Sequence, residues 1–129
     1  MFSLVNTNIA TVALVDLYGE AAVRHLYGYD GASGRLSVVS DDVHSAHYSY
    51  LANSDLISSV TFKEAGTTRL TTSKGCDNGY RLRSIRNAAG PLVISSHSYV
   101  YDALDRRTAA TLHDASTWHY DYNDRSELT

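Results

Sequence analysis

The sequence predicts an all-β protein, folded as an antiparallel meander of repeated β-hairpins. Ten tyrosines stand beside only two phenylalanines and one tryptophan, and tyrosine at this density favours strands. Runs that alternate Tyr, Thr, Val and Ser are separated by Gly, Asp and Asn, which is typical of short strands joined by turns. A tyrosine and acid pattern also recurs at intervals that are typical of repeat architectures.

Length and composition exclude several classes of protein. A chain of 129 residues fits one ordinary domain and is long enough for one modest hydrophobic core, and 43% hydrophobic with 19% charged residues excludes a disordered chain. Eleven Lys and Arg against fourteen Asp and Glu leave no positive surplus for phosphates, so we expect no nucleic-acid partner. The single cysteine, Cys76, excludes an internal disulfide, and the redox compartment stays undetermined.

The first 24 residues differ from the rest of the chain because they lack an aromatic pair. We expect a strand over Val12 to Leu17, and Glu20 to His25 is open between a helical turn and a second strand. The apolar stretch from Ile9 to Leu17 is too short to span a membrane, and no basic region precedes it. We therefore expect no membrane insertion and no signal peptide, and residues 1–24 are a candidate edge strand beside the first repeat.

Residues 25–129 read as five imperfect repeats. Successive repeats are offset by about 21, 26, 25 and 21 residues when five positions are taken as equivalent, namely Tyr29, Tyr50, Cys76, Tyr101 and Tyr122. Each repeat predicts a hairpin, since Tyr-x-Tyr places both rings on one face of a strand and the following polar residues favour a turn. The residues that define the repeats are Tyr27, Tyr29, Asp30, Gly34, Arg35, Leu36, Tyr48, Tyr50, Asp77, Arg81, Leu82, Tyr99, Tyr101, Asp102, Arg106, Tyr120, Tyr122, Asn123 and Leu128.

These motifs resemble the YD repeat of the rearrangement-hotspot (Rhs) family. The resemblance covers residues 25–129 and rests on Tyr-Asp pairs in register, at Tyr29-Asp30, Tyr101-Asp102 and Tyr120-Asp121, with Arg-Leu after the turn as at Arg35-Leu36. Leu51 and Cys76 break the dipeptide, Ser126 stands where a turn glycine is usual, and Arg107 and Glu127 also depart from the pattern.

The resemblance implies a piece of a hollow β-shell. In bacteria such shells often enclose a toxic C-terminal segment, and in animals related repeats belong to adhesion receptors; family members are often secreted or on the cell surface. The last repeat stops at Thr129 before its return strand is complete, so the chain is expected to be an internal slice of such a shell. The expected partners are further YD repeats of the same or a neighbouring chain, and open sheet edges also favour self-association.

No catalytic constellation is predicted. The only proline, Pro91, follows Gly90, which does not match the Asp and Pro pattern of the family's self-cleaving core, and no nucleophile elbow occurs. His119 and Asp121 share a strand face that a cross-strand His97 could join, but solvated polar residues are the favoured interpretation. We therefore expect no metal, no cofactor and no enzymatic activity.

The tyrosine pairs have two interpretations. The first is a structural ladder of aromatic contacts across strands, in which Arg35, Arg81 and Arg106 hydrogen-bond the preceding Asp30, Asp77 and Asp102 or stack over a tyrosine ring. The second is a carbohydrate or cell-surface binding module, with glycan contacts at Trp118, Tyr120 and Asp121. The ladder is the preferred interpretation.

Overall fold

The structure is a computed structural model that describes residues 9–15 and 21–129. These residues form strands and turns and contain no helix, so none that could cross a membrane. The strands are β1 Ile9–Val15, β2 Ala21–Tyr29, β3 Leu36–Ser40, β4 His44–Tyr50, β5 Ile57–Glu64, β6 Thr67–Cys76, β7 Leu82–Ala89, β8 Leu92–Tyr101, β9 Arg107–Leu112 and β10 Thr117–His119.

The chain divides into two compact units, Met1–Leu70 and Thr71–Thr129. In the first unit, β1 to β5 pair antiparallel, each strand with the next one along the chain. In the second unit, β6 from Thr71 onward and β7 to β10 follow the same rule. The predicted all-β antiparallel meander is therefore the fold of the described residues.

The five equivalent residues occupy the same place in successive hairpins. Each is the last paired residue before a turn, and it lies opposite the first paired residue after that turn. The pairs are Tyr29 with Leu36, Tyr50 with Ile57, Cys76 with Leu82, Tyr101 with Arg107 and Tyr122 with Leu128. The alignment of the repeats in sequence thus coincides with their alignment in the sheet.

A β-bulge accompanies the first four of these pairs. In each hairpin the register shifts by one residue just before the repeat position, and the extra residue lies on the returning strand, at Ser37, Ser58, Arg83 and Thr108. Bulges increase strand twist and re-aim the side chains beside them. Gly28 lies at the first bulge, where a Cβ atom would come within 2.6 Å of Val38 Cγ1, so the close approach of these strands requires a residue without a side chain.

The modest hydrophobic core that the chain length allows is not seen among residues 25–129. Of these residues, only Ala88 and Ala110 are buried, at 3% and 5% exposure, and no large side chain is fully buried. Apolar side chains are buried only if a second layer covers the sheet. The other apolar side chains of residues 25–129 are half-buried or exposed.

The N-terminal strand begins earlier than the sequence predicted. The strand spans Ile9–Val15 rather than starting at Val12, and Leu17 lies outside the described residues. The segment that was open between helix and strand is strand from Ala21 onward. Because β1 pairs with β2 from Ile9 opposite Gly28 onward, it lies beside the first hairpin.

Candidate functional site

The repeat turns of the second unit share one design. In the turn from Asp77 to Arg81, the Asp77 carboxylate accepts hydrogen bonds from the backbone N–H groups of Gly79 and Arg81, at 2.9 and 3.1 Å. Asp102 accepts the same two bonds in its turn, both at 2.9 Å. The residue before each arginine has positive φ, at 61° for Tyr80 and 63° for Asp105. An aspartate at the start and a left-handed residue near the end therefore define this turn.

Each of these aspartates also pairs with the arginine that ends its turn. The Arg81 Nε lies 2.8 Å from an Asp77 carboxylate oxygen, and the Arg106 Nε lies 2.7 Å from Asp102. Partial desolvation alone would raise the pKa of Asp77, but the hydrogen bonds from Arg81 outweigh it and lower the pKa below its usual value. The same balance lowers the pKa of Asp102. Both carboxylates are held in the ionised form that closes the turn.

The arginine of one repeat stacks on the tyrosine of the next. The guanidinium carbon lies 5.1 Å from the ring centre for Arg35 over Tyr50, 5.2 Å for Arg81 over Tyr101 and 4.8 Å for Arg106 over Tyr122. At these distances a guanidinium is attracted to the electron-rich face of the ring. These contacts, which we call the cation–π ladder, therefore link one hairpin to the next one along the chain.

The tyrosine hydroxyl completes the link between repeats. It donates to the backbone carbonyl that follows the stacked arginine, from Tyr50 to Leu36, from Tyr101 to Leu82 and from Tyr122 to Arg107, at 2.7–2.8 Å. The arginine in turn donates to the next turn, as Arg106 does to Ser126 at 3.2 Å and Arg81 does to Asp105. Sequence reasoning proposed arginine stacking but did not identify the next repeat's tyrosine as the partner.

Two departures from the repeat fall at corresponding positions. Leu56 stands where three other repeats carry arginine, because its carbonyl accepts the turn hydrogen bond from Leu51 that Arg81 accepts from Asp77. The following repeat is the one that has Cys76 in place of tyrosine. The repeat without the arginine is thus followed by the repeat without the tyrosine. In the sequence, Leu56 and Cys76 lie on either side of the boundary between the two units.

The expected pairing of Arg35 with Asp30 is absent. The Asp30 turn is one residue longer than those of the second unit, and its carboxylate instead accepts bonds from the Ser33 backbone N–H and hydroxyl, at 2.7 and 2.6 Å. Arg35 lies 3.7 Å from Asp55 and donates to the Ser54 carbonyl. The extra residue moves the arginine away from its own turn and toward the next one.

In the last turn, from Asn123 to Glu127, the first residue donates the side-chain hydrogen bond and the last residue accepts it. Asn123 takes the aspartate position and accepts the same backbone bonds from Arg125 and Glu127, at 3.0 Å each, and its side-chain nitrogen donates to the Glu127 carboxylate at 2.6 Å. Ser126 adopts the left-handed conformation, with φ of 62°. The exchange of Asp and Arg for Asn and Glu therefore keeps the turn geometry.

Aromatic side chains gather on one face near the end of the second unit. Tyr99 and Trp118 lie on either side of Ala110 in one row of cross-strand pairs, and residues two apart on a strand share a face, which adds Tyr101 and Tyr120. The guanidinium of Arg107 stacks over Tyr99 at 4.0 Å. We call this group, completed by Tyr122, the aromatic cluster.

The three predicted glycan contacts differ in their placement. Trp118 is 63% exposed and belongs to the aromatic cluster, while Tyr120 is half-buried in it. Asp121 is exposed, and strand alternation places it on the opposite face from Tyr120. The aromatic residues are thus brought together, whereas the acid is not part of their surface.

The histidines do not converge. His97 pairs with Leu112 and stacks beside Tyr99, whereas His119 pairs with Ala109, so His97 and His119 are not cross-strand neighbours. The residues described by the structure contain no cluster of three or more His, Cys, Asp or Glu that could hold a metal ion. The weaker metal interpretation therefore has no support from the geometry.

An open concavity of about 470 Å³ lies in the first unit. Its floor is the cross-strand row of Val39, Ala46 and Phe62, and charged residues form its rim. Among these, Asp41 accepts hydrogen bonds from the His44 and Val43 backbone N–H groups, which lower its pKa to about 2. Asp41 therefore serves the local turn.

Comparisons with known proteins identify no family. No family model matches the chain, and no curated protein matches it. A structure of a Bacteroides fragilis protein of unknown function is similar over 96% of this chain and 88% of that one, with 13% identity and a TM-score of 0.28.

Proposed function

We propose that the protein is a non-catalytic structural module, similar to part of the YD-repeat shell of Rhs proteins, which in that family encloses a C-terminal toxin. One observation carries the proposal: the same arginine and tyrosine contacts link three pairs of successive repeats. In repeat architectures each unit contacts only its neighbours, so such links are a means of extending a wall.

The exposure of the sheet also supports a wall. Only two alanines are buried among residues 25–129, so this part of the chain gains its cohesion from strand pairing and from contacts between repeats rather than from a core. The partners that such a sheet would take are further YD repeats of the same or a neighbouring chain. Its edges would add strands by backbone hydrogen bonding.

Size exclusion with light scattering tests this proposal. We expect the full chain to associate into dimers or larger oligomers through sheet edges, and a variant starting at His25, which lacks β1 and the first four residues of β2, to associate more. Clean monomers of both proteins across a wide concentration range would contradict the proposal. The extended sequence of the reading frame provides an independent test, because further YD repeats should adjoin these five.

The aromatic cluster favours a second candidate function, the binding of carbohydrate or of a cell surface. Exposed Trp118 and its neighbouring tyrosines present flat rings, on which sugars stack. A glycan array with wild-type protein and Trp118→Ala distinguishes the two functions. Retention that is lost in the variant supports binding, and equal retention of both proteins counts against it.

A further inference from the structure

A concavity of about 400 Å³ lies beside the aromatic cluster in the second unit. It is lined by Tyr101, Asp105, Arg107, Tyr120, Tyr122 and Leu128. Its volume is within the range of small-molecule sites, and three of its six lining residues are tyrosines. Flat aromatic walls fit a ring-shaped ligand.

Arg107 is the unusual group in this concavity. Its Nε is buried and has no hydrogen-bond partner, although buried polar groups are almost always paired. The residues described by the structure provide no carboxylate within ion-pair distance of Arg107, whereas Arg81 and Arg106 each bind an aspartate. The Arg107 guanidinium stacks over the Tyr99 ring at 4.0 Å, and no residue in the described ranges accepts a hydrogen bond from it. Its charge is therefore uncompensated.

Asp105, the one acid in the lining, does not neutralise the charge of Arg107. Asp105 forms an ion pair with Arg81, so it is committed to the neighbouring turn. A guanidinium offers several N–H donors in a planar fork that matches a carboxylate. Of the Arg107 nitrogens, only Nε is both buried and without a partner. The terminal nitrogens are therefore the donors that a ligand can reach.

We propose that this concavity binds a small ring-bearing carboxylate, with the carboxylate on Arg107 and the ring against the tyrosines. Hexuronic acids and aromatic acids share this chemistry. The inference goes beyond the structural function, and it deepens the carbohydrate candidate because it rests in part on the same aromatic cluster. It adds the requirement for a negative charge.

Nuclear magnetic resonance titration of the full chain tests the proposal. The probes are sodium glucuronate, sodium benzoate and neutral glucose, and the signals to follow are the backbone amides of Tyr101, Tyr120 and Tyr122. We expect glucuronate, benzoate or both to shift the resonances of these amides. The carboxylate that binds more tightly shows whether the ring of the ligand is a sugar or an aromatic ring. Added salt should weaken the binding.

Matched variants make the test specific. Arg107→Gln should weaken binding at least about tenfold, because it removes a charged hydrogen-bond donor. Arg107→Lys keeps the charge but loses the planar fork, so its affinity should lie between those of wild type and Arg107→Gln. It is also the variant to use if Arg107→Gln fails to fold. Arg83→Gln is the control, since Arg83 is exposed and lies on β7 outside the concavity.

The outcomes separate the two hypotheses about this face. Glucose binding as tightly as glucuronate would overturn the carboxylate proposal and leave the carbohydrate candidate standing. An absence of shifts with both carboxylates, or equal binding by wild type and both Arg107 variants, would also overturn it. Loss of binding in Arg107→Gln with retention in Arg83→Gln would support it.

Discussion

The contact between Arg106 and Tyr122 offers a quantitative test of the link between repeats. The Tyr122 hydroxyl donates to the Arg107 carbonyl at 2.8 Å, a bond worth about 1 kcal/mol. The Arg106 guanidinium lies 4.8 Å from the ring centre and is 24% exposed, so its attraction to the ring should contribute about 0.5–1 kcal/mol. Tyr122→Phe should therefore cost about 1 kcal/mol, and Tyr122→Ala more, because the second change also removes the ring.

A double-mutant cycle isolates the stacking from the other contacts of Arg106. Urea unfolding of Arg106→Gln, Tyr122→Ala and the double variant should give a coupling energy of about 0.5–1 kcal/mol. The same cycle with Arg83→Gln in place of Arg106→Gln is the control, and it should be additive. An Arg106 coupling no larger than the control value would refute the cation–π link.

Three further predictions follow from the turns and bulges. Gly28→Ala should lower the unfolding midpoint in urea because its Cβ meets Val38 Cγ1, whereas Gly31→Ala, which has nothing within 4 Å, should leave it unchanged or slightly raised; equal losses would contradict this account. Folding lowers the pKa of Asp41 from 3.8 to about 2, so its stabilisation is complete above pH 3.8 and is lost as the pH falls through about 2. Thermal melting of Asp41→Asn should lose less stability over this pH range than wild type, and parallel acid profiles would argue against the assignment. Ala115→Gly should raise the unfolding midpoint, since Ala115 has a φ of 67° and glycine adopts this conformation without steric cost; a lowered midpoint would contradict the turn geometry.

The sequence allowed prediction of the meander and the places of its turns because these depend on local chemistry. Tyrosine-rich runs favour strands, and Asp77 and Asp102 start turns through bonds to backbone groups within four residues. The equivalence of Tyr29 and Tyr101 could be seen from spacing alone, and both are the last paired residues of their strands.

Other features depend on contacts that the sequence does not specify locally. The stacking of Arg81 on Tyr101 requires knowledge of how one hairpin aligns with the next, which is the register of β7 against β8, with Ser84 opposite Ser98. The single extra residue in the Asp30 turn is visible in the sequence, but the contact of Arg35 with Asp55 depends on where the next turn lies in space. Chain length allows a core but carries no information about how many layers cover the sheet.

The pairing of residues across each repeat turn is the most direct test of the central claim, that the chain is a meander of equivalent hairpins. Nuclear Overhauser contacts between backbone protons would measure it. We expect contacts between Tyr29 and Leu36, between Tyr50 and Ile57, and between Tyr101 and Arg107, with the one-residue offset of the bulge on the returning strand. Pairings displaced by a residue in any hairpin, or sequential contacts typical of helix, would contradict the repeat alignment.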